Sequence, residues 1–155
     1  MRANVAPREA ARLEALQNYR ILDTDAESSY DAITYLAAQL CDVPIALISL
    51  VDAERQWFKS KLGVDVSETS RDVSFCAHAI LGEQTLVVRD AREDERFRDN
   101  PLVCSEPNIV FYMGVPLSTP EGAKIGTLCV IDRQPRELSA SQVHSLEVLA
   151  HQVVL

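Results

Sequence analysis

Two apolar runs, Ile45 to Val51 (IALISLV) and Lys124 to Ile131 (KIGTLCVI), constrain the fold more than anything else in the chain. The first has the branched side chains and the length of a buried strand, and the second is strand-like by the same criteria. Helical patterns lie before the first run and after the second, not alternating with strands. A sheet whose main helices fall outside the strand sequence is α+β in topology and not doubly wound. Helices from opposite ends of the sequence can then cover one face of the sheet, while short helices and loops from the middle close the other.

The local signals fill in this frame. Residues 8 to 19 (REAARLEALQNY) carry an approximate helical stripe of Ala11, Leu13, Leu16 and Tyr19. Ser28 with Asp31 resembles a capping box and opens a helix over 29–41, whose face is expected to be Tyr30, Ile33, Leu36, Ala37 and Leu40. After the first apolar run, Asp52-Ala53-Glu54 predicts a turn into a half-exposed antiparallel strand, Gln56 to Lys61, ended by Gly63. Residues 64–72 read as a polar loop, 73–81 (VSFCAHAIL) as a short buried helix, and Thr85 to Val88 as a strand. The mixed-charge run from Arg89 to Asp99 reads as a solvated turn or short helix, and Asn100-Pro101 and Pro107-Asn108 as turns. Ile109 to Leu117 and Lys124 to Ile131, joined by Thr119-Pro120-Glu121-Gly122, predict an antiparallel hairpin. In the last segment Ser139 and Gln142 form a capping box, Leu138 and Val143 a hydrophobic staple, and Leu146, Leu149, Ala150, Val153 and Val154 continue a helix toward Leu155.

At 155 residues the chain fits one domain, divided here into a lead-in helix and linker over 1–21 and a main domain over 22–155. A formal net charge of -8 without a concentrated basic face argues against nucleic acid as a partner. No apolar stretch approaches the roughly 20 residues needed to span a bilayer, and the start, MRANVAPREAARLEAL, has no signal-peptide core. The expected setting is therefore cytoplasmic and without membrane contact, with Cys41, Cys76, Cys104 and Cys129 as thiols, their spacing lacking CxxC pairs. An apolar helix running to Leu155 with no glycine or proline to stop it points to a covalently linked C-terminal effector. Its stripe of Val143, Leu146, Leu149 and Val153 points to a homodimer through the terminal helices.

Four stretches together resemble the GAF family of small-molecule sensor and dimerisation domains: LDTDAESSYDAITYLAAQLCDVPIALISLVDAERQWFKSKLG, ETSRDVSFCAHAI, VVRDAREDERFRDNPLV, and FYMGVPLSTPEGAKIGTLCVIDRQPRELSASQVHSLEVLAHQV. The resemblance runs from about Leu22 to the end. It implies an antiparallel sheet of five or six strands, with a pocket between one sheet face and the connecting segments. It also implies a regulatory role upstream of histidine kinases, cyclic-dinucleotide enzymes or transcriptional activators, as in bacterial two-component systems, and not catalysis by this domain. The alternatives are a ligand-free interaction or dimerisation module and a thiol-dependent reductase of the kind GAF-type reductases of free methionine sulfoxide represent.

Several residues are candidates for the pocket. His78, Arg71 and Tyr112 would supply polar groups to an otherwise apolar cavity, with Trp57, Phe75, Cys76, Asp90 and Cys129 completing the ligand-binding set. Trp57 and Phe58 must point to opposite faces of their strand, as must Phe111 and Tyr112. Asp90 or Asp72 is the expected partner of His78. Cys76 and His78 stand two apart, a spacing at which helical side chains do not face each other, so no metal is assigned. Ala77 between them also departs from the Cys-His step of covalent tetrapyrrole sensors. No catalytic residue and no cofactor is assigned. Asp52 and Asp132, each closing an apolar strand, are read as turn residues.

Overall fold

The two apolar runs become the central pair of the sheet in the computed structural model, which describes residues 1–154. In chain order the elements are α1 (Glu9–Asn18), α2 (Ser28–Cys41), β1 (Ile45–Val51), β2 (Arg55–Leu62), β3 (Glu68–Ser70), α3 (Phe75–Ala79), β4 (Leu86–Val88), α4 (Pro101–Cys104), β5 (Phe111–Ser118), β6 (Lys124–Asp132) and α5 (Ala140–Val153). They build a six-stranded sheet in the order β3-β2-β1-β6-β5-β4, with every neighbouring pair antiparallel. Strands β1 and β6 sit in the middle, and β1 is buried at all its positions because both faces of the sheet are covered there. The fold is α+β, as the position of the helices in the sequence requires.

Each face of the sheet has its own core. On one side α1, α2 and α5 pack through Leu16, Ala37, Ala38, Cys41, Leu146 and Ala150 onto Ala46, Ile48, Leu50, Trp57, Met113, Leu128 and Val130. On the other, α3, α4 and the intervening loops bring Phe75, Ala77, Ile80, Phe97 and Val103 onto Ile45, Leu47, Val51, Phe58, Tyr112 and Ile131. Trp57 and Phe58 thus separate to opposite faces, and so do Phe111 and Tyr112. A bulge between Ile48 and Ser49 of β1 leaves Lys59 as the extra residue of β2. Its ammonium reaches the linker ahead of α2, donating to Thr24 Oγ1 at 2.7 Å and to the Asp25 carbonyl at 2.6 Å and pairing with Glu27.

Where local chemistry is strong, sequence and structure agree. Ser139 Oγ accepts the Gln142 amide and Gln142 Oε1 accepts the Ser139 amide, the full reciprocal capping box. Leu138 and Val143 are both partly buried against the core on the helical face. Gly63 ends β2 with φ +88, and a side chain there would stand 2.2 Å from the Pro44 carbonyl oxygen. The expected extension of the last helix to Leu155 lies outside the described residues.

Other expectations change. The polar segment 64–72 contains β3, held by β2, because the edge of a sheet accepts a short polar strand without needing apolar side chains. Strand β2 is mostly buried and not half exposed. The Asn100-Pro101 turn signal opens α4, with Asn100 Oδ1 capping the Leu102 amide at 2.8 Å. Ser28 does not cap α2: Glu27 takes the N-cap position without a side-chain bond, and Asp31 accepts Ser60 Oγ instead. Of the expected face of α2, Ala37 is buried and Tyr30 and Ile33 pack partly buried against the core, but Leu36 and Leu40 are each 45% exposed and Thr34, Ala38 and Cys41 are buried instead. In the second half of the helix small side chains face the sheet and the leucines turn outward. In α1 the inward pair is Arg12 and Leu16, with Tyr19 exposed.

Candidate functional site

Between β1, β2, β5 and β6 on one side and α3, α4 and the loops near Val64 and Pro107 on the other lies a cavity of about 50 Å³. Its walls are apolar, with Leu47, Phe58, Val64, Phe75, Leu102, Ile109 and Ile131 among them. The aromatic cover is ordered by stacking: Phe75 lies parallel to Phe97 with ring centres 4.1 Å apart and tilted against Tyr112 at 5.1 Å. Ser74 caps α3 by accepting the Ala77 amide at 3.0 Å, which fixes the helix that carries Phe75 and Cys76.

A polar cluster sits in this apolar setting. Tyr112 Oη and Thr127 Oγ1 donate to Cys76 Sγ at 3.3 and 3.0 Å, and Cys129, on the same face of β6 as Thr127, lines the same cavity as Cys76. Ser49 Oγ and Ser74 Oγ both donate to Gln56 Oε1, at 3.1 and 2.8 Å, and Gln56 Nε2 donates to Thr69 Oγ1 at 2.7 Å. Burial by itself raises the pKa of Cys76, but hydrogen bonding from Cys129, Thr127 and Tyr112 outweighs it and brings the thiol's pKa down to about 6. Cys129 moves the other way, well above its ordinary value, because its proton serves the bond to Cys76 and because it is buried. The two sulfurs therefore share one ionisation. Tyr112 is pushed up by burial and by the nearby sulfur charge, so it stays a donor.

Of the eight candidate residues, the structure brings Phe75, Cys76, Tyr112 and Cys129 to one cavity. It places the other four elsewhere. Trp57 packs in the core under the helices. Arg71 is buried at the sheet end, paired with Glu9 of α1 and donating to the Asp52 carbonyl at 3.1 Å. His78 turns toward the N-terminal segment, its Nε2 2.9 Å from the Met1 carbonyl and its ring edge-on to Phe97 at 4.8 Å. Neither Asp90 nor Asp72 is its partner: Asp90 caps the turn at 91–93 and pairs with Arg92, and Asp72 pairs with Arg2. Burial lowers the affinity of His78 for a proton, against the bond to Met1.

Thr127, Ser49 and Gln56 escaped the sequence reading. The signal was present in the first two as lone hydroxyls within otherwise apolar strands, at the same parity as Cys129 and Leu47, so that they had to face the cavity side. Asp52 lies in the turn after β1, and Asp132 is the last residue of β6. Asp52 accepts the Ala53 amide, and Asp132 accepts the Arg133 amide and pairs with Arg136.

Comparison with known proteins places this geometry. A cyclic di-GMP phosphodiesterase of Pseudomonas aeruginosa is 45% identical over 147 residues, 94% of this chain and 25% of that protein, so the chain spans a quarter of its relative's length. The fold is shared with the GAF domain of an Acinetobacter phosphoenolpyruvate-protein phosphotransferase (TM-score 0.66, 21% identity, 93% of this chain and 90% of that one). It is shared too with the type II free methionine-R-sulfoxide reductase of Thermoplasma acidophilum (TM-score 0.67, 13% identity, 90% and 92%). The GAF domain family model matches residues 25–155, and with the six-stranded sheet and its two differently covered faces this makes the chain a member of the GAF domain family.

Proposed function

We propose that this chain is the regulatory, small-molecule-sensing module of a cytoplasmic bacterial signalling protein, acting on an effector attached to it and pairing with a second copy through its helices. The observation that carries the reading is the group of Cys76, Tyr112 and Cys129 at the floor of an apolar cavity, with Thr127 behind it donating to Cys76. An apolar wall with a few convergent polar groups is the composition of a recognition site. A 45% identical relative is a cyclic di-GMP phosphodiesterase four times as long, which supports a regulatory place within a longer signalling protein. Among the described residues no helix is long and apolar enough to cross a membrane. A ligand would act by binding one arrangement of the α3–α4 cover better than another, since its effect is limited to that difference in affinity.

Pairing is supported by the outer side of the helical layer. Tyr35, Leu36 and Leu40 of α2 and Val148 of α5 are 57%, 45%, 45% and 47% exposed. Of the stripe expected to serve both sheet and partner, Leu146 is buried, and Val143, Leu149 and Val153 are partly buried against the core.

The cavity's size favours a second reading, a ligand-free interaction module, because 50 Å³ is far below the roughly 300 Å³ at which drug-sized ligand sites begin. Native and denaturing mass spectra of freshly purified protein separate the two. Added mass that disappears on denaturation is the expected result, and a bare dimer, unchanged after incubation with a metabolite extract, would reverse the preference.

A further inference from the structure

The cavity floor holds two thiols, Cys76 on α3 and Cys129 on β6, that are 2% and 0% exposed and line the same small cavity, with Cys129 two residues along β6 from Thr127, whose hydroxyl donates to Cys76 at 3.0 Å. A cysteine that only fills space in an apolar core needs no donors, because its sulfur is a weak acceptor. Cys76 Sγ instead receives two hydroxyls, from Tyr112 at 3.3 Å and Thr127 at 3.0 Å. Donors converging on one sulfur stabilise a thiolate, the form that attacks an electrophile. The space beside it is small. About 50 Å³ is room for a molecule of a few heavy atoms and far too little for a drug-sized one.

We propose that Cys76 and Cys129 are a dithiol that a small peroxide oxidises to an intramolecular disulfide, which makes this cavity an oxidant-sensing site. The inference rests on the cavity being the sensory site of the module. In the first step the Cys76 thiolate attacks one peroxide oxygen, the O–O bond breaks, and the sulfur, oxidised by two electrons, becomes a sulfenic acid. The departing hydroxide takes up the proton released when Cys76 ionised and leaves as water. In the second step Cys129 attacks the Cys76 sulfur, its thiol proton leaves with the sulfenic oxygen as a second water, and the S–S bond forms. In sum two thiols and one hydrogen peroxide give one disulfide and two waters, and an external dithiol reverses the change.

The bond would tie the cover of the cavity to the central strand of the sheet, drawing the sulfurs to about 2.05 Å. Because α3 also carries His78, which holds the Met1 carbonyl, a shift of α3 reaches the N-terminal segment that leads into α1.

The test uses the full chain carrying Cys104→Ser, which removes the exposed thiol and leaves Cys41, Cys76 and Cys129. The reduced protein is exposed to hydrogen peroxide, denatured in an alkylating reagent and mapped by mass spectrometry. We expect one alkylated thiol, Cys41, with a peptide linking Cys76 to Cys129 that a dithiol reductant releases. Adding Cys129→Ala should stop the reaction at a Cys76 sulfenic acid that a dione probe captures. Three alkylated thiols, under exposure that fully oxidises the unfolded chain, would overturn the proposal, as would Cys76 carried on to a sulfinic acid beside a free Cys129. A native spectrum of the reduced protein separates this failure from that of the sensor reading. Bound mass without disulfide leaves a sensor with inert thiols, whereas disulfide without any effect on the attached effector leaves the dithiol chemistry and removes the sensor.

Discussion

The ring of Tyr112 lies across Gly114 two residues along the same strand, so that a Cβ built on Gly114 would stand 2.1 Å from Tyr112 Oη. The bare backbone at Gly114 is what lets the phenol lie flat on the sheet and reach Cys76 at 3.3 Å. Gly114→Ala must therefore swing the phenol away, because the clash is with the far end of a side chain that can move. The expected result is a folded protein less stable by about 1–3 kcal/mol, in which the Tyr112 hydrogen bond to Cys76 is lost. Chemical denaturation measures the first effect. The second is read from the Cys76 thiolate absorbance, whose midpoint should shift upward and match that of Tyr112→Phe.

Thr127→Val tests the other donor. Valine keeps the shape of threonine but offers no hydrogen bond, so it leaves the sulfur with Tyr112 and Cys129 alone. The loss should cost about 1 kcal/mol in stability. The Cys76 thiol should ionise above its present value of about 6. An ultraviolet thiolate titration of the Cys104→Ser protein, with and without the second substitution, gives the direction. An unchanged midpoint would mean that Thr127 serves packing only.

Glu9 joins α1 to the end of the sheet and should show itself through pH. Its carboxylate accepts Arg12 Nη2 and Nε at 2.7 and 2.8 Å and pairs with Arg71. The bond from Arg12 first, and then that from Arg71, outweigh burial and hold its ionisation near 2, against 4.5 for the free group. A carboxylate depressed by folding stabilises above the unfolded value and loses that contribution as pH falls through the folded one. The advantage of wild type over Glu9→Gln, about 2 kcal/mol at neutral pH, should hold down to roughly pH 4.5 and shrink toward pH 2. Denaturant midpoints of both proteins across this window check it; a constant difference would assign the effect to shape and not to charge.

Which parts of this molecule could be read from the sequence follows from how local their causes are. Strand β1, the β5–β6 hairpin and the capping box at Ser139 are specified within a few residues of themselves, and all appear where their residues predict. The face of α2 is not local. By periodicity a helical stripe containing Leu36 and Leu40 is an adequate apolar face, yet the buried positions are Thr34, Ala37, Ala38 and Cys41, which depends on how the helix is rotated against the sheet. The site divides in the same way. Strand parity sends Tyr112 and Cys129 to one side, and the apolar run around Phe75 and Cys76 has to be covered. Arg71 and His78, by contrast, answer to the N-terminal segment, through Glu9 and the Met1 carbonyl. That contact between distant parts of the chain leaves no periodic trace.

The outward leucines of α2 carry the last prediction. Leu36 and Leu40 lie one helical turn apart, beside Tyr35 and close to α5, whose Gln142 Nε2 donates to the Leu40 carbonyl at 3.0 Å. If the helical layer is the pairing surface, charge on this ridge should separate the protomers without harming the fold, because neither side chain belongs to the buried core. Leu36→Glu with Leu40→Glu should change the unfolding free energy of the monomer by about 0.5 kcal/mol or less. Its association should weaken by at least tenfold, about 1.4 kcal/mol. Sedimentation equilibrium over a range of concentrations measures the second quantity and circular dichroism during denaturation the first. An unchanged dimer constant in a stably folded double variant would move the pairing surface off α2.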